Sequence, residues 1–412
     1  MHKPDAQFAS YYRKAATTLR VFRFGLLIAF IVFCVYSIGF FRDNITMDNI
    51  RYLFKYINLS YSDTSPSDAH ITINTDDSSE FIMLHNDLAV ISNTGCELYD
   101  FSGNKLYNYE YSYTNAAVSS NGKNLLVYDT AGTGLAIYSS VSKIYETELE
   151  YDIKSAYIND LGYFAVVNSE KTYRSGVIVF DRDGNEIFRW MSPDKYVTGV
   201  VLNSNASEVI CSAVYNKSGE FITEIVTYST LTGEKLYAHT LTDALGLKIG
   251  ISENDSEIFL LTDSAFMSFD RELEPIASAH YNRNNAKFFK QLKDCFIIAE
   301  SNNLSGSSMI LTAYDYSAQK MFELETEKKV IDAVFTDSTL YVLFKDSMSV
   351  YDYGTDGENG LYELVEVSLD KQYKAIRTDD YGRYILVEAK SANRGALFAL
   401  LQTQLKENSK DS

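Results

Sequence analysis

The stretch VFDRDGNEIF, Val179 to Phe188, sets acidic and amide side chains at alternating positions from Asp181 to Asn185, between two apolar segments. The spacing resembles a calcium-binding loop, but an EF-type loop needs glycine at its sixth position and a bidentate acid at its twelfth. Counted from Asp181, those positions hold Glu186 and Ser192. The stretch is therefore interpreted as a turn, in which glycine supplies a positive φ and aspartate caps the backbone.

The same frame recurs elsewhere in the chain without the full set of acids. LYDFSGNKLY (Leu98 to Tyr107) keeps the aromatic residue, the aspartate, the glycine and the closing apolar pair, and TYSTLTGEKLY (Thr227 to Tyr237) keeps the aromatic residue and the glycine. A turn that repeats in this way belongs to a repeated structural unit. We interpret it as the connection between the two outer strands of each unit.

Eight pairs of apolar strands, each joined by a polar hairpin, follow residue 70. Their first strands start near Leu88, Asn124, Tyr163, Glu208, Glu257, Cys295, Leu340 and Tyr384, at intervals from the mid-thirties to the high forties. Such intervals are typical of propeller blades. Runs such as LLVY and VIVF are apolar at every position, so both faces of these strands must be covered, as radially stacked blades cover them.

The sequence thus predicts an all-β fold, an eight-bladed β-propeller over residues 70–405. Seven blades are the alternative, if the first and last units are halves of one blade, and a pair of β-sandwiches is a third reading. The last unit has no clear fourth strand, and HITINT (His70 to Thr75) could supply it. Closing the ring in this way would protect exposed strand edges.

The N-terminal segment predicts a membrane anchor. Phe24 to Phe41 runs without a charge, about the length that crosses a hydrocarbon core as a helix. Five lysines and arginines precede it, which predicts a cytoplasmic tail (1–23), a transmembrane helix (24–41) and an extracytoplasmic C-terminal domain. Residues 42–69 are read as a juxtamembrane amphipathic helix, at Thr46 to Leu59, followed by a polar linker, and residues 406–412 as a disordered tail.

The charge balance bears on partners. The net charge is −18, and because the first 23 residues carry +4, the rest carries −22. Nucleic-acid binding needs concentrated positive charge, so no nucleic-acid partner is expected.

The search for catalytic and metal-binding motifs finds no usual pattern. Five histidines stand outside any HExxH or close Cys/His cluster, and there is no G-x-S-x-G, Walker or GxGxxG motif, so no metal and no cofactor is expected. The cysteines, which include Cys96, Cys211 and Cys295, are interpreted as small buried hydrophobes. Catalysis by residues from distant segments stays open, because triads are defined in space.

The layout of basic tail, single span, amphipathic segment and extracytoplasmic propeller resembles a family of uncharacterised propeller proteins from clostridia-like Gram-positive bacteria. That resemblance implies a membrane-anchored propeller and carries no established activity. The hairpins are also similar to quinoprotein-type and WD40-like blades. Quinoprotein blades use a repeated tryptophan docking motif, whereas this chain has only Trp190, so a quinone cofactor is not expected.

Four long hairpins between middle strands are the candidate binding loops, since loops on a rigid scaffold are where recognition usually resides. They are NSEKTYRSG (Asn168 to Gly176), YNKSGEF (Tyr215 to Phe221), SNNLSGSS (Ser301 to Ser308) and KSANRG (Lys390 to Gly395). Their candidate binding residues are Lys171, Arg174, Lys217, Asn302, Asn303 and Arg394.

The predicted function is a non-catalytic binding or scaffold module that engages a protein, peptide or glycan of the cell envelope. The alternative is an extracytoplasmic hydrolase or lyase with its site in the central channel. These two readings differ in one observable, because an enzyme should gather carboxylates, or a histidine with carboxylates, at one mouth of the channel.

Overall fold

The protein was analysed as a computed structural model, which describes residues 6–40, 70–72, 78–100, 103–303, 305–336, 338–354, 360–379, 383–388 and 391–396. The chain divides into two units, Met1–Tyr61 and Ser62–Ser412.

The first unit contains one described helix, α1 (Ala6–Phe40), which includes most of the predicted membrane span. Within the described residues, no helix combines the length and the apolar character needed to cross a membrane. The last residue of the predicted span, Phe41, lies outside the described residues. So do the predicted amphipathic helix, Thr46 to Leu59, and the predicted tail, 406–412.

The second unit is all-β, and its described strands form eight four-stranded antiparallel sheets. We number the sheets in the order in which their first strands follow along the chain. Sheet 1 comprises β2 (Glu80–Leu84), β3 (Asp87–Ser92), β4 (Gly95–Tyr99) and β5 (Lys105–Glu110); sheet 2 comprises β6 (Ala116–Ser120), β7 (Asn124–Asp129), β8 (Gly134–Ser139) and β9 (Lys143–Glu148). Sheet 3 comprises β10 (Ile153–Ile158), β11 (Phe164–Asn168), β12 (Ser175–Phe180) and β13 (Glu186–Ser192); sheet 4 comprises β14 (Tyr196–Leu202), β15 (Glu208–Lys217), β16 (Glu220–Ser229) and β17 (Lys235–Thr242).

The remaining four sheets continue the series. Sheet 5 comprises β18 (Gly246–Ile251), β19 (Ile258–Thr262), β20 (Ala265–Phe269) and β21 (Pro275–His280); sheet 6 comprises β22 (Ala286–Gln291), β23 (Phe296–Ser301), β24 (Met309–Tyr314) and β25 (Lys320–Thr326). Sheet 7 comprises β26 (Val330–Thr336), β27 (Thr339–Phe344), β28 (Ser347–Tyr353) and β29 (Leu361–Ser368); sheet 8 comprises β30 (Ala375–Thr378), β31 (Arg383–Val387), β32 (Ser391–Ala396) and β1 (His70–Thr72).

Sheets 1 to 7 are each built from four consecutive strands, whereas sheet 8 joins the two ends of the domain. Its outer strand is β1, which pairs with β32 from His70↔Asn393 to Thr72↔Ser391. The prediction that HITINT supplies the missing strand is thus confirmed. The predicted apolar hairpins are the middle pairs of the sheets, such as β11 with β12 and β15 with β16.

Buried apolar side chains fill the space between neighbouring sheets. Each described cluster joins a sheet to the next, as Leu202 of β14 joins Val167 of β11, and Phe259 of β19 joins Phe296 of β23. The last cluster packs Ile385 and Val387 of sheet 8 against Leu88 of sheet 1. Both faces of the middle strands are therefore covered by neighbouring sheets, as their continuous apolar sequences predict. A β-propeller is confirmed, and the sandwich reading is wrong.

The first strand of each sheet is the innermost, because first strands of neighbouring sheets contact one another. Nε of Arg377 on β30, for example, donates to the backbone carbonyl of Phe81 on β2 at 2.6 Å. Because successive strands of each sheet run in opposite directions, the loops of the propeller lie on two opposite rims. The connector rim carries the hairpins between second and third strands and the links between sheets, and the turn rim carries the other two turns of each sheet.

The stretch quoted first, Val179 to Phe188, lies on the turn rim as the connection from β12 to β13. The Asp181 carboxylate accepts hydrogen bonds from the backbone N–H of Asp183 at 2.9 Å and of Asn185 at 2.8 Å. Gly184 has a φ of 83°. In other sheets Asp100, Asp270 and Asp315 accept the equivalent backbone bonds. The interpretation as a repeated structural turn is confirmed.

Candidate functional site

The predicted binding residues lie on the connector rim or near it, but the structure does not gather them into one cluster. Lys171 and Arg174 lie in the hairpin of sheet 3, between β11 and β12, and Asn302 and Asn303 lie in the hairpin of sheet 6. Asn303 is engaged within its own loop, where its side-chain oxygen accepts from the backbone N–H of Ser307 at 3.1 Å. Sheets 3 and 6 are separated by two others, so no single small ligand contacts both hairpins.

Two predicted loop residues prove to be strand residues. Lys217 is the last residue of β15 and pairs with Glu220, so the hairpin of sheet 4 is only two residues long. Arg394 lies within β32 and pairs with Ile385. Both segments were read as loops because they are rich in polar residues, but backbone pairing extends through them.

One predicted residue makes a contact between two neighbouring sheets. Arg174 donates from Nη1 to the hydroxyl of Tyr196 at 2.8 Å, and its guanidinium carbon lies 5.4 Å from the centroid of the same ring. Arg174 belongs to sheet 3 and Tyr196 opens β14 of sheet 4. The contact therefore bridges two neighbouring sheets on the connector rim, while the Tyr196 side chain remains 50% exposed.

Tyr196 is one of five large apolar side chains that are exposed along this part of the connector rim, in sheets 3, 4 and 5. We call these five, together with Arg174, the aromatic rim patch. The five are Tyr173, Tyr196, Phe221, Leu245 and Leu247. Within the described residues, the other exposed large apolar side chains of the propeller lie on outer strands or on the turn rim, such as Ile276 and Leu231. Exposed apolar side chains that recur on neighbouring sheets along one rim of a rigid scaffold are typical of an interaction site.

The backbone beneath the aromatic rim patch is held by buried polar contacts. The hydroxyl of Thr223 donates to the carbonyl of Ala244 at 2.5 Å and accepts from the backbone N–H of Gly246 at 3.1 Å. The backbone N–H of Leu245 donates to a carboxylate oxygen of Asp263 at 3.1 Å. These bonds fix the link between sheets 4 and 5, so Leu245 is presented from an ordered backbone.

The inner strands hold a second feature, a set of charged side chains around the central channel. Asp332 on β26 lies 2.5 Å from Nζ of Lys290 on β22 and 2.7 Å from Nη1 of Arg377 on β30. Its second oxygen also accepts the backbone N–H of Ile376 at 3.1 Å. One carboxylate thus ties together the inner strands of sheets 6, 7 and 8.

Two more charged residues lie on first strands, in sheets 1 and 5. Glu80 opens β2 of sheet 1, and Lys248 is the third residue of β18 in sheet 5. Both residues are exposed, and the charge of each contributes to the pKa of the other. We call Glu80, Lys248, Lys290, Asp332 and Arg377 the channel cluster.

Burial decides the direction of the pKa shift for three members of the channel cluster, and neighbouring cations decide it for the fourth. It raises the pKa of Glu80, against the attraction of Arg377 and Lys248. It lowers the pKa of Lys248, against the attraction of Glu80. The pKa of Lys290 is lowered to about 8 by burial and then by repulsion from Arg377. The pKa of Asp332 falls despite burial, because Lys290 and Arg377 favour its charged form.

These charges bear on the enzyme reading, which requires reactive carboxylates at one mouth of the channel. Glu80 and Asp332 are the two carboxylates found, but Asp332 is occupied by two cations and a backbone N–H. A catalytic pair needs two groups free to exchange protons. Within the cluster, only the Glu80 carboxylate meets that requirement. The cluster therefore lacks an acid–base pair and is better suited to binding a charged group.

Among the described residues there is neither a metal-binding cluster nor a reactive thiol. No group of three or more histidine, cysteine or acidic side chains within the described residues is placed to hold a metal ion. Cys96, Cys211 and Cys295 are buried, and burial raises the pKa of each thiol. Thiols in that state are poor nucleophiles.

Sequence reasoning missed the channel cluster entirely. Its members stand in short first strands such as GLKIGI (Gly246–Ile251) and VIDAVFT (Val330–Thr336), where one charge interrupts an apolar strand. Charged residues are rarely enclosed unless they are paired or functional. That interruption, repeated in several first strands, is the signal that could have found the cluster.

The fold defines a class, the β-propellers, and solved WD40 propellers share it. The C-terminal WD40 domain of Sif2 superposes with a TM-score of 0.55 at 9% sequence identity, over 79% of this chain and 99% of that one. Sqt1 from Chaetomium thermophilum does so with a TM-score of 0.51 at 12% identity, over 80% of this chain and 98% of that one. At these identities the likeness shows the fold alone.

Residues 59–394 match DUF5711, a family of unknown function, and the chain belongs to that family. No curated protein sequence matches the chain.

Proposed function

We propose that the protein is a non-catalytic binding or scaffold module whose connector rim engages a protein or peptide partner at the cell envelope. The observation that carries the proposal is the aromatic rim patch. Its apolar side chains are exposed along the connector rim of three neighbouring sheets, and Arg174 lies over the ring of Tyr196. Aromatic residues and arginine are enriched at the energetic centres of protein interfaces.

The WD40-like fold supports the same proposal. A closed ring of sheets offers a broad and rigid rim, and such a scaffold can bind through its surface without catalytic groups. The channel cluster does not favour catalysis, because the Asp332 carboxylate is held in ion pairs with Lys290 and Arg377. A hydrolase or lyase is therefore the weaker candidate.

The location is also a proposal. Phe24 to Phe41 carries no charge, and the backbone is helical as far as Phe40. With a basic segment before it, this arrangement supports a single span with the propeller outside the cytoplasm. Protease added to intact cells should then remove the C-terminal domain, and full protection of that domain would contradict the orientation.

We also propose a number of blades on the basis of the sheets. We take each four-stranded sheet as one blade, which makes eight, with sheet 8 closed by strands from both ends of the domain. Seven blades would require sheets 1 and 8 to merge into one. Each of these two sheets has four strands of its own, which supports the higher number.

Site-specific photo-crosslinking in native membranes tests the binding proposal. The photoreactive amino acid p-benzoylphenylalanine is placed at Tyr196 on the connector rim or at Leu231 on the turn rim, where exposure is even greater at 85%. We expect discrete cross-linked products from position 196, lost when Arg174→Ala is added, and none from position 231. Equal products from both positions would refute the connector rim as the binding face.

A further inference from the structure

The first strands of five consecutive sheets, 3 to 7, share a β-bulge close to the connector rim. In β10, for example, Ile153 and Ser155 pair with successive residues of β11, so Lys154 between them has no partner in the ladder. The residues left over in this way are Lys154, Thr198, Leu247, Lys287 and Ile331. Bulges re-aim side chains and are enriched beside functional sites. A bulge repeated around one mouth of the channel is therefore a candidate contact surface.

Three lysines lie at or beside these bulges. Lys154 and Lys287 are bulge residues, and Lys248 directly follows the bulge residue Leu247. We call Lys154, Lys248 and Lys287 the mouth lysines. All three are exposed, and the described residues give none of their ammonium groups a hydrogen-bond or ion-pair partner. Their charges are therefore available to a ligand.

The inner strands are positively charged on an acidic protein. Together the eight first strands carry five cations and two acids, a net charge of +3, whereas the whole chain carries −18. The charged residues are Glu80, Lys154, Lys248, Lys287, Lys290, Asp332 and Arg377. Asp332 is already shared by Lys290 and Arg377. Glu80 is then the one acid of these strands set against three mouth lysines, so a negatively charged partner is favoured there.

The mouth lysines adjoin the aromatic rim patch. Leu247 belongs to the patch and precedes Lys248, and Tyr196 opens β14, which lies between β10 and β18 in the ring. The surrounding loops of sheets 3 to 5 carry charges of both signs, such as Lys217 and Asp243. The excess of positive charge is thus on the inner strands, and the exposed apolar side chains lie beside it.

We propose that the partner at the connector rim is an acidic peptide segment, whose apolar side chains lie on the aromatic rim patch and whose carboxylates contact the mouth lysines. The inference rests on the proposed function, because it names the class of partner for the same face. Each lysine ammonium offers three donors, and complementary charges set the register of a bound chain. An anionic sugar or phosphate polymer would satisfy the lysines but leave the apolar side chains in water, so a peptide fits better.

Selection from a random peptide display library on the full chain in detergent tests the proposal. We expect the enriched peptides to combine aspartate or glutamate with aromatic or aliphatic residues. Fluorescence anisotropy then measures the dissociation constant of a selected peptide. It should rise about tenfold in the triple variant Lys154→Gln, Lys248→Gln, Lys287→Gln, through the loss of three exposed charge contacts.

The matched control makes the same change of charge at three exposed lysines of the turn rim. In the triple variant Lys123→Gln, Lys293→Gln, Lys320→Gln, the dissociation constant should change less than about threefold, because distant surface charges are screened. Tyr196→Ala should weaken binding as well, since it removes part of the apolar contact.

The results separate this inference from the proposed function. Enriched peptides without acids, equal losses in the two triple variants, or tighter binding of inorganic polyphosphate than of every selected peptide would overturn the acidic class of partner alone. No enriched peptide, or binding that Tyr196→Ala leaves unchanged, would count against the binding face itself. If the mouth-lysine variant fails to fold, salt carries the test on the wild-type chain. Binding should weaken about tenfold between about 0.05 and 0.5 M NaCl, and binding that is insensitive to salt would contradict the proposal.

Discussion

The Asp332 carboxylate accepts a hydrogen bond from Nη1 of Arg377 at 2.7 Å, which joins the inner strands of sheets 7 and 8. Lys290 approaches the same carboxylate from sheet 6. Removing the negative charge leaves two enclosed cations without a counterion. Three sheets of the ring therefore depend on one residue.

Asp332→Asn should lower the free energy of unfolding by about 3–5 kcal/mol, the usual cost of breaking a buried ion pair from one side. Chemical unfolding followed by the fluorescence of Trp190, the single tryptophan, measures this. The control is Glu253→Gln, whose partner Lys293 is 71% exposed, and which should cost less than about 1 kcal/mol. Equal losses in the two variants would contradict the structural role of Asp332.

Lys290 should impose a pH dependence on stability in the alkaline range. The folded chain releases its proton at a pKa of about 8, whereas the ordinary value is 10.5. Between these values the unfolded chain binds more protons, so the free energy of unfolding should rise with pH by about 1–3 kcal/mol. Lys290→Met should remove this rise, and Lys293→Met, at an exposed lysine, should keep it. A rise that persists in Lys290→Met would assign it to another group.

Gly250 lies where no side chain fits. A Cβ added there would lie 1.8 Å from Cζ of Phe259, whose ring is fully buried on β19. Gly250→Ala should therefore destabilise the domain by about 1–3 kcal/mol through overpacking. Gly354→Ala is the control, because its nearest neighbour is 3.7 Å away. Thermal unfolding of both variants checks this, and an unchanged midpoint in Gly250→Ala would show that the sheet is less closely packed.

The turn at Asp181 should contribute to stability without binding calcium. Asp181→Ala removes hydrogen bonds to the backbone of Asp183 and Asn185, at a cost of about 1–2 kcal/mol. Asp183→Ala should cost little, since no described contact involves its carboxylate. Millimolar calcium should leave the melting temperature of the wild-type chain unchanged. A calcium-dependent increase that both variants abolish would restore the metal-site reading.

The sequence predicted the elements whose signal is local and repeated. Apolar runs such as Val177–Phe180, followed by Asp181 and a glycine turn, identified strands, turns and the propeller, and the same pattern in His70 to Thr75 identified the closing strand. The candidate sites were harder to predict. Lys217 was placed in a loop because polar residues surround it, although β15 and β16 continue to pair beyond the core.

The surfaces that matter most depend on which strands become neighbours. Arg174 and Tyr196 are separated by 22 positions, and Lys290 and Asp332 by 42, so each pair meets only when neighbouring sheets of the ring come together. The charge and hydropathy patterns along the chain do not show that the two residues of either pair are close in space. These contacts become visible only after the ring is assembled.

The central claim, that the connector rim is the binding face, is tested most directly by maleimide labelling of single engineered cysteines at Tyr196 and Leu231. With Cys34, the fourth cysteine, replaced by serine, the background from Cys96, Cys211 and Cys295 is low, because all three thiols are buried. We predict that Tyr196→Cys reacts more slowly in native membranes than in purified protein, whereas Leu231→Cys reacts equally in both. Slower labelling of Leu231→Cys alone, or no difference at Tyr196→Cys, would contradict the account.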